Sequence, residues 1–216
     1  MKIAILGTGA VGQTLGAKFL ELGHDVFMGS RTTDNENLLG WKEKTGGKIG
    51  TFDQAANDSE ILFNCTNGVN SLDALALIDK SNLQGKILVD LANELEFKDG
   101  KLKSLASSDN SLVQKIQNAY PDSKVIKTFN TLNVHLMVNP GALRGAHNVF
   151  LSGDDENAKS IVSGLIIELG WEEANIVDLG VIETAVGPEM FMAFWVTLFA
   201  SGKYGDNAMY NINIVK

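Results

Sequence analysis

The residues with the clearest chemical meaning form a glycine loop near the start of the sequence. It has the pattern G-x-G-x-x-G and consists of Gly7, Thr8, Gly9, Ala10, Val11 and Gly12. An apolar run at 2–6 precedes it and a run with helical spacing follows, which is the context in which this pattern binds a dinucleotide. Gly7 permits a tight turn after the strand, and Gly9 leaves room for the pyrophosphate. Gly12 allows the helix to pack closely on the strand. The N–H groups of the helix N-terminus then face the phosphates, whereas a glycine turn without a ligand is the weaker interpretation.

The end of the second predicted strand indicates which dinucleotide binds. An NAD site places Asp or Glu there to accept hydrogen bonds from the ribose 2′-OH. Residues 29–33 read G-S-R-T-T instead; the first acid after the strand end is Asp34, and Asp25 lies at the beginning of the strand. Arg31 can pair with a 2′-phosphate, and the hydroxyls of Ser30 and Thr32 can donate to it. We therefore predict NADP as the cofactor; a solvated surface arginine is the alternative.

Small polar and amide residues follow three later predicted strands. In open parallel sheets, ligands bind beyond the carboxyl ends of the strands, where such residues could line the nicotinamide ribose and hold its carboxamide. For any single position, ordinary loop capping by Asn or Thr is equally consistent. The further predicted cofactor-binding residues are Cys65, Thr66, Asn67, Asn93, Asn130 and Thr131.

Acid–base and metal chemistry have weaker candidates. His135 could reach the site as an acid or as a substrate contact, although a lone histidine is more often structural. Cys65 has no basic neighbour that would lower its pKa, so we do not predict a nucleophile. No Cys or His pair has metal-ligand spacing, and no metal is predicted. Asp154 and Asp155 precede a predicted helix and are interpreted as helix-capping residues.

Alternating strands and helices must position these residues. The alternation predicts an α/β fold with a Rossmann-type, doubly wound, mostly parallel sheet. We predict one domain over residues 1–216, with a core at about 1–140 and a small C-terminal α+β portion at about 141–216 packed on it. Predicted strands cover 2–6, 25–28, 48–51, 60–65, 86–91, 124–129, 148–152, part of 171–177 and, weakly, 211–215. Predicted helices cover 10–22, 35–45, 52–57, 71–79, 112–120, a segment ending near 169, and 182–201; residues 98–110 are predicted to be a loop.

The last predicted helix is apolar on all sides. Such a helix is expected to be buried in the core, against a second subunit, or over a bound ring. Its large apolar residues are Met190, Phe191, Met192, Phe194, Trp195 and Phe199.

Composition excludes several classes of partner. The 216 residues carry a formal net charge of −8, which disfavours nucleic acid and anionic membranes as partners. The longest apolar stretch, at 190–200, is too short to span a bilayer, and the glycine loop interrupts the apolar start too early for a signal peptide. A single cysteine is typical of a reducing compartment, so we expect a cytoplasmic protein.

On these residues the sequence resembles the coenzyme F420-dependent NADP reductases, formally 8-hydroxy-5-deazaflavin:NADPH oxidoreductases. The resemblance extends over nearly the whole chain and rests on the glycine loop, G-S-R at 29–31, K-T-F-N-T at 127–131, S-G-D-D at 152–155 and the final apolar helix. It implies that Ser30 and Arg31 bind the 2′-phosphate, that F420 lies face to face with the nicotinamide, and that the enzyme is a homodimer. The chain departs from the family pattern with Asn67-Gly68 in place of a proline–aromatic pair and with Glu94 in place of a proline. These departures concern the second substrate and not the NADP site.

Hydride transfer between NADPH and a flat ring, either F420 or a flavin, is our first functional hypothesis. Such a reaction needs orientation and a dry site more than acid–base side chains. A compact carbonyl or imine reductase is the first alternative, but it needs a committed proton donor, and its relatives usually have a longer helical C-terminal domain. A non-catalytic, NADP-binding regulatory protein is the second.

Overall fold

The computed structural model describes residues 1–203 and 209–215. Its main sheet contains β1 (Lys2–Leu6), β2 (Asp25–Ser30), β3 (Lys48–Thr51), β4 (Ile61–Asn64), β5 (Ile87–Asp90), β8 (Lys124–Thr128), β9 (Val149–Gly153) and β10 (Ile176–Asp178). A separate hairpin contains β6 (Leu95–Lys98) and β7 (Lys101–Ser104). The helices are α1 (Ala10–Glu21), α2 (Glu36–Thr45), α3 (Phe52–Asn57), α4 (Ser71–Leu75), α5 (Leu112–Ala119), α6 (Val134–Val138), α7 (Glu156–Glu168) and α8 (Val186–Ala200).

The order of the strands confirms the predicted Rossmann-type α/β fold. The sheet runs β10-β9-β8-β5-β4-β1-β2-β3, and its strands are parallel from β3 to β8. β9 is antiparallel to β8, and β10 is parallel to β9. The order reverses between β1 and β4, which is where a doubly wound sheet opens a crevice at its carboxyl edge.

The central strands form because both of their faces are covered. In β1, Ile3 and Ile5 belong to one apolar core, whereas Ala4 and Leu6 belong to a second core on the opposite face. Continuous apolar runs are typical of parallel strands buried in this way. The two cores fix the positions of the strand ends, and thereby the positions at which the following loops begin.

Two parts of the predicted secondary structure were wrong. Residues 98–110 were predicted to be a loop, but 95–104 form the β6–β7 hairpin around Asp99 and Gly100, with φ of 53° and 73°. An Asp-Gly pair predicts a hairpin when alternating apolar residues flank it. Here lysines occupy many of the flanking positions, so the segment was predicted to be a loop. Residues 211–215 are not a strand; the segment lies beside the start of β9, where the Asn148 N–H donates to the Ile212 carbonyl at 2.8 Å. Shorter differences occur at β10, which begins at 176, and at α4, which ends at 75.

The strands on either side of residue 140 share one sheet, since β9 pairs directly with β8. That the whole chain acts as one domain stays a prediction. Among residues 1–203 and 209–215, no helix combines the length and the apolar character that crossing a bilayer requires.

Candidate cofactor site

A cavity of about 800 Å³ opens at the carboxyl ends of β1, β2 and β4, beside the point where the strand order reverses. This main cavity lies where a dinucleotide binds in doubly wound sheets, and its volume is typical of a cofactor site. Its lining comes from the glycine loop, the turn after β2, the start of α3, the loop after β4 and the segment around α4: Gly7, Thr8, Gly9, Ser30, Arg31, Thr32, Asn35, Phe52, Cys65, Thr66, Asn67, Asn70, Asp73, Ala74 and Leu77.

The three glycines of the glycine loop (residues 7–12) are required for different reasons. Gly7 has φ of 125°, and a Cβ there would lie 2.7 Å from the Cys65 carbonyl oxygen. A Cβ on Gly12 would lie 2.1 Å from the Gly7 carbonyl oxygen. A Cβ on Gly9 would meet no described atom within 4 Å. Packing therefore demands glycine at two positions, while the third leaves open space for a ligand.

The N-terminus of α1 is free to receive an anion. Gly9 is the N-cap and supplies no side-chain cap, and the first turn contains no acidic residue. Ala10, Val11 and Gly12 form this first turn and do not line the cavity themselves. The first N–H groups of a helix have no partner within the helix, so those of this turn can donate to a phosphate.

The turn after β2 places one positive charge in the main cavity. Arg31 is exposed and lines the cavity between Ser30 and Thr32. None of the ion pairs found in the described ranges includes Arg31. The Ser30 hydroxyl is buried and donates to the Thr32 carbonyl, which shapes the turn. Asp34, the carboxylate nearest to Arg31 in the sequence, does not line the cavity, whereas Asp73 does.

The β4 loop (residues 65–67) lines the other side of the main cavity. Thr66 lines the cavity as predicted, but its hydroxyl turns inward and donates to Asn64 Oδ1 at 2.7 Å, so the hydroxyl hydrogen is used within the protein. Burial and the negative charge of Asp90 raise the pKa of the Cys65 thiol. The thiol therefore stays protonated, which agrees with the expectation that it is not a nucleophile.

Asn93, Asn130 and Thr131, which follow later strands, also lie outside the lining of the main cavity. Asn93 Nδ2 donates to the Asn130 carbonyl at 2.7 Å, and Asn130 Nδ2 donates to Asn93 Oδ1 and the Pro188 carbonyl, each at 3.0 Å. This pairing clasps the loops after β5 and β8 to the start of α8. Phe129, the residue before Asn130, adopts φ of 60°, which is rare for a bulky residue. Thr131 lines a separate apolar pocket of about 190 Å³ together with Phe191.

His135 is also placed away from the main cavity. It is exposed on α6, a helix that packs on α1, and it is absent from the lining. Of the two aspartates after β9, Asp155 is the N-cap of α7, as predicted, whereas Asp154 bonds to a distant segment and does not cap that helix. Asp155 accepts from the Ala158 N–H at 2.8 Å at the start of α7, and Asp154 accepts from the Ile182 N–H at 2.9 Å.

Asp90, Lys127 and Glu189 form a buried charge cluster that was not predicted from the sequence. Lys127 Nζ donates to Asp90 Oδ2 and to the Ala92 carbonyl, both at 2.6 Å, and lies 2.9 Å from Glu189 Oε1. All three side chains are almost completely buried. Burial tends to lower the pKa of Lys127, but the two carboxylates outweigh it and raise that pKa, so the lysine remains charged. The available signal was a lysine inside the apolar strand V-I-K-T and an aspartate that ends I-L-V-D.

Comparison with known proteins places this site in a family. Residues 2–94 match the family model described as NADP oxidoreductase, coenzyme F420-dependent. A crystal structure of a candidate F420-dependent NADP reductase from Arthrobacter sp. FB24 is 37% identical, with a TM-score of 0.91 and 100% of each chain covered. The chain belongs to this family. It is an NADP-dependent oxidoreductase, which confirms the predicted family and cofactor.

More distant relatives share parts of the chain. Rat metalloreductase STEAP3 is 25% identical over 184 residues, which is 85% of this chain and 35% of the rat protein. The chain thus spans only about a third of that curated relative. An imine reductase from Pseudomonas sp. is 18% identical with a TM-score of 0.69, covering 92% of this chain and 62% of the reductase. That likeness shows the fold alone.

Proposed function

We propose that this oxidoreductase transfers a hydride between NADPH in the main cavity and a flat redox ring, either coenzyme F420 or a flavin. The observation that carries the proposal is the chemistry of the lining. Among the described residues, neither the lining of the main cavity nor that of the smaller apolar pocket that contains Thr131 and Phe191 includes His, Lys or Tyr; Arg31 and Asp73 bear the charges of the main cavity. A carbonyl reductase must protonate an alkoxide, whereas hydride exchange between two rings needs orientation and little else.

The two ends of the main cavity fit the two ends of NADPH. The glycine loop and the free N-terminus of α1 suit the pyrophosphate, and Arg31 suits the 2′-phosphate. The β4 loop is then left for the nicotinamide half. In this arrangement Thr32, Cys65 and Asn67 contact the cofactor, while Ser30 and Thr66, whose hydroxyls donate within the protein, shape the turn and the loop.

The acceptor ring is proposed to lie along the row of strand ends that leads from the β4 loop to α8. Gly68 packs so closely on the loop after β5 that a Cβ would lie 2.1 Å from the Asn93 carbonyl oxygen. Asn93 in turn pairs with Asn130, and Thr131 borders the apolar pocket beside Phe191. An apolar surface at the end of this row suits a planar ring.

A panel of acceptors tests the proposal. NADPH is incubated with F420, FMN, FAD, quinones, ferric chelates, a cyclic imine and a ketone, and the loss of nicotinamide absorbance is followed. We expect turnover with F420 or a flavin and little with the imine or ketone. Turnover confined to the imine or ketone would establish the carbonyl or imine reductase alternative. NADPH binding with no turnover on any acceptor would favour a regulatory protein.

A homodimer is proposed from the surface of α8. The helix was expected to be buried, but within the described chain one face is exposed, with Met190 and Phe194 exposed by 45% and 56%. Over residues 186–197 the exposed positions occur at helical spacing: Gly187, Met190, Ala193, Phe194 and Thr197; Phe199 and Ala200, at the end of the helix, are exposed as well. The opposite face is buried against the protein. A second copy of this chain offers the same apolar stripe, which suits a self-complementary interface.

We expect Phe194→Asp to convert the dimer to a monomer, because it places a charge in the centre of the proposed interface. Sedimentation velocity measures the assembly, and calorimetry checks that the NADPH Kd changes by less than about twofold. Ile161→Asp, at a residue of α7 that is 40% exposed, is the matched control and should not alter assembly. Trp195 is a poorer choice, since its ring already contacts Phe199 and Tyr210 with centroids 5.7 and 5.4 Å away. A wild-type monomer at micromolar concentration would refute the dimer.

A cytoplasmic location and the exclusion of nucleic-acid and membrane partners stay predictions from composition.

A further inference from the structure

Asn64, the last residue of β4, uses every hydrogen-bonding group of its amide. Its Nδ2 donates to Asp90 Oδ1 at 2.7 Å and to Ser71 Oγ at 3.1 Å. Its Oδ1 accepts from the Thr66 hydroxyl at 2.7 Å and from the Thr66 N–H at 3.3 Å. An amide has two donor hydrogens and one acceptor oxygen with two lone pairs, so this side chain is saturated. Asn64 is fully buried and has a single fixed orientation.

The buried charge cluster determines that orientation. Asp90 presents a carboxylate, which only accepts, so the donor end of Asn64 must face it. Asp90 is itself held by Lys127, whose ammonium also binds Glu189. Glu189 accepts from the N–H groups of Leu112 and Val113 at 2.9 and 3.0 Å, at the first turn of α5. The cluster thus joins β5, β8, α5 and α8 beneath Asn64.

Stability alone is a weak reason to bury three charges. Apolar residues of similar volume commonly stabilise a protein as well as a buried ion cluster does, or better. The cluster instead fixes the orientation of the Asn64 side-chain amide. The effect of this orientation is seen at Thr66, the residue to which the hydrogen bonds from the cluster lead through Asn64.

The chain ends at the wall of the main cavity. Thr66 lines the cavity, yet its hydroxyl is held by Asn64 and by Ser71 Oγ at 2.8 Å. The loop that contains Thr66 also seats the glycine loop, because Gly7 lies against the Cys65 carbonyl. A shift of the β4 loop would therefore disturb two walls of the cavity.

We propose that Asn64 is a positioning residue for the cofactor: oriented by Asp90, Lys127 and Glu189, it holds Thr66 and thereby keeps the β4 loop in the shape that receives NADPH. The proposal rests on NADPH occupying the main cavity. Asn64 acts through Thr66 and contacts no cofactor atom itself.

A double-mutant cycle on NADPH affinity tests this role. The full-length protein is titrated with NADPH by calorimetry as wild type, Asn64→Ala, Thr66→Val and the double variant. We expect each single change to raise the Kd for NADPH about tenfold, which corresponds to the free energy of one lost hydrogen bond. The Kd of the double variant should also rise about tenfold and not a hundredfold, because both changes remove the same Asn64–Thr66 hydrogen bond. Additive effects, or an unchanged Kd in Asn64→Ala, would overturn the proposal.

Controls separate positioning from loss of stability. Lys159 is another buried lysine with two carboxylates, Asp178 at 2.8 Å and Glu156 at 2.9 Å, but it lies outside the main cavity. Lys159→Met should lower the unfolding temperature and leave the NADPH Kd unchanged. Should Asn64→Ala not fold, the same cycle with Ser71→Ala uses the second group that holds the Thr66 hydroxyl, and the same non-additivity is required. If the wild-type protein did not bind NADPH, the proposed function would be contradicted instead. The cycle measures binding alone, so its outcome does not depend on which acceptor the enzyme uses.

Discussion

Replacing Gly9 with valine is expected to abolish NADPH binding while the fold survives. Gly9 has φ of −74° and ψ of −178°, a backbone conformation that valine adopts without strain. A Cβ there meets no described atom within 4 Å, so the new side chain projects into the main cavity instead of into the protein. The pyrophosphate must approach the backbone at this point. We expect the Kd for NADPH to rise at least about a hundredfold, equivalent to about 2.7 kcal/mol.

Two other glycine substitutions make the Gly9 result specific. Gly164→Val places the same side chain on α7, where a Cβ also meets nothing within 4 Å, and should leave the Kd unchanged. Gly12→Val is expected to destabilise the protein, because its Cβ would collide with the Gly7 carbonyl oxygen. Calorimetry measures binding and thermal unfolding measures stability for all three variants. Normal NADPH binding by Gly9→Val would mean that the cofactor binds elsewhere.

The glycine loop was predictable because all its determinants are local. A strand, three glycines and a helix follow one another within 20 residues, and their order alone defines the geometry. The parallel sheet was predictable for a similar reason, since each central strand is a short apolar run between helical patterns. Local signals of this kind need no knowledge of what packs against them.

The predicted site residues that lie outside the main cavity have partners that are distant in sequence. Asn93 and Asn130 occur at strand ends, as ligand-binding residues do, but they bond to each other across 37 positions of the sequence. The pattern of residue types cannot distinguish an amide that faces a ligand from one that faces another loop. Lys127 and Glu189 were missed for the same reason, because a lone lysine in a strand has no meaning until its carboxylates are located.

The surface of α8 shows a different limit of sequence reasoning. Its apolar character predicted burial, but the periodicity of an all-apolar helix does not show which face packs on its own chain. Buried Met192 and exposed Phe194 look equivalent in the sequence. The three-dimensional arrangement alone distinguishes the core face from the face proposed to meet a second subunit.

Replacing Arg31 with alanine is expected to convert a strongly NADPH-preferring protein into one with little preference between NADPH and NADH. Arg31 supplies the positive charge in the lining of the main cavity, and no ion pair within the described residues engages it. Hydrogen bonds to a charged group contribute about 1.5–3 kcal/mol, and a guanidinium can make two to one phosphate. We expect the Kd for NADPH to rise about a hundredfold and the Kd for NADH less than about threefold.

The matched control for Arg31→Ala is Arg144→Ala, since Arg144 is the other arginine of the sequence, is exposed and does not line the cavity. Its removal lowers the net charge of the protein by the same amount and should leave both affinities unchanged. The companion variant Ser30→Asp places a carboxylate at the end of β2, where it would repel a 2′-phosphate and accept from a 2′-OH. Its preference should therefore move toward NADH.

Equal losses of NADPH and NADH affinity in Arg31→Ala would contradict the assignment of Arg31 to the 2′-phosphate. The arginine would then bind a part of the dinucleotide that both cofactors share. The 2′-phosphate would need another partner, for which Thr32 and Asn35 are candidates in the lining.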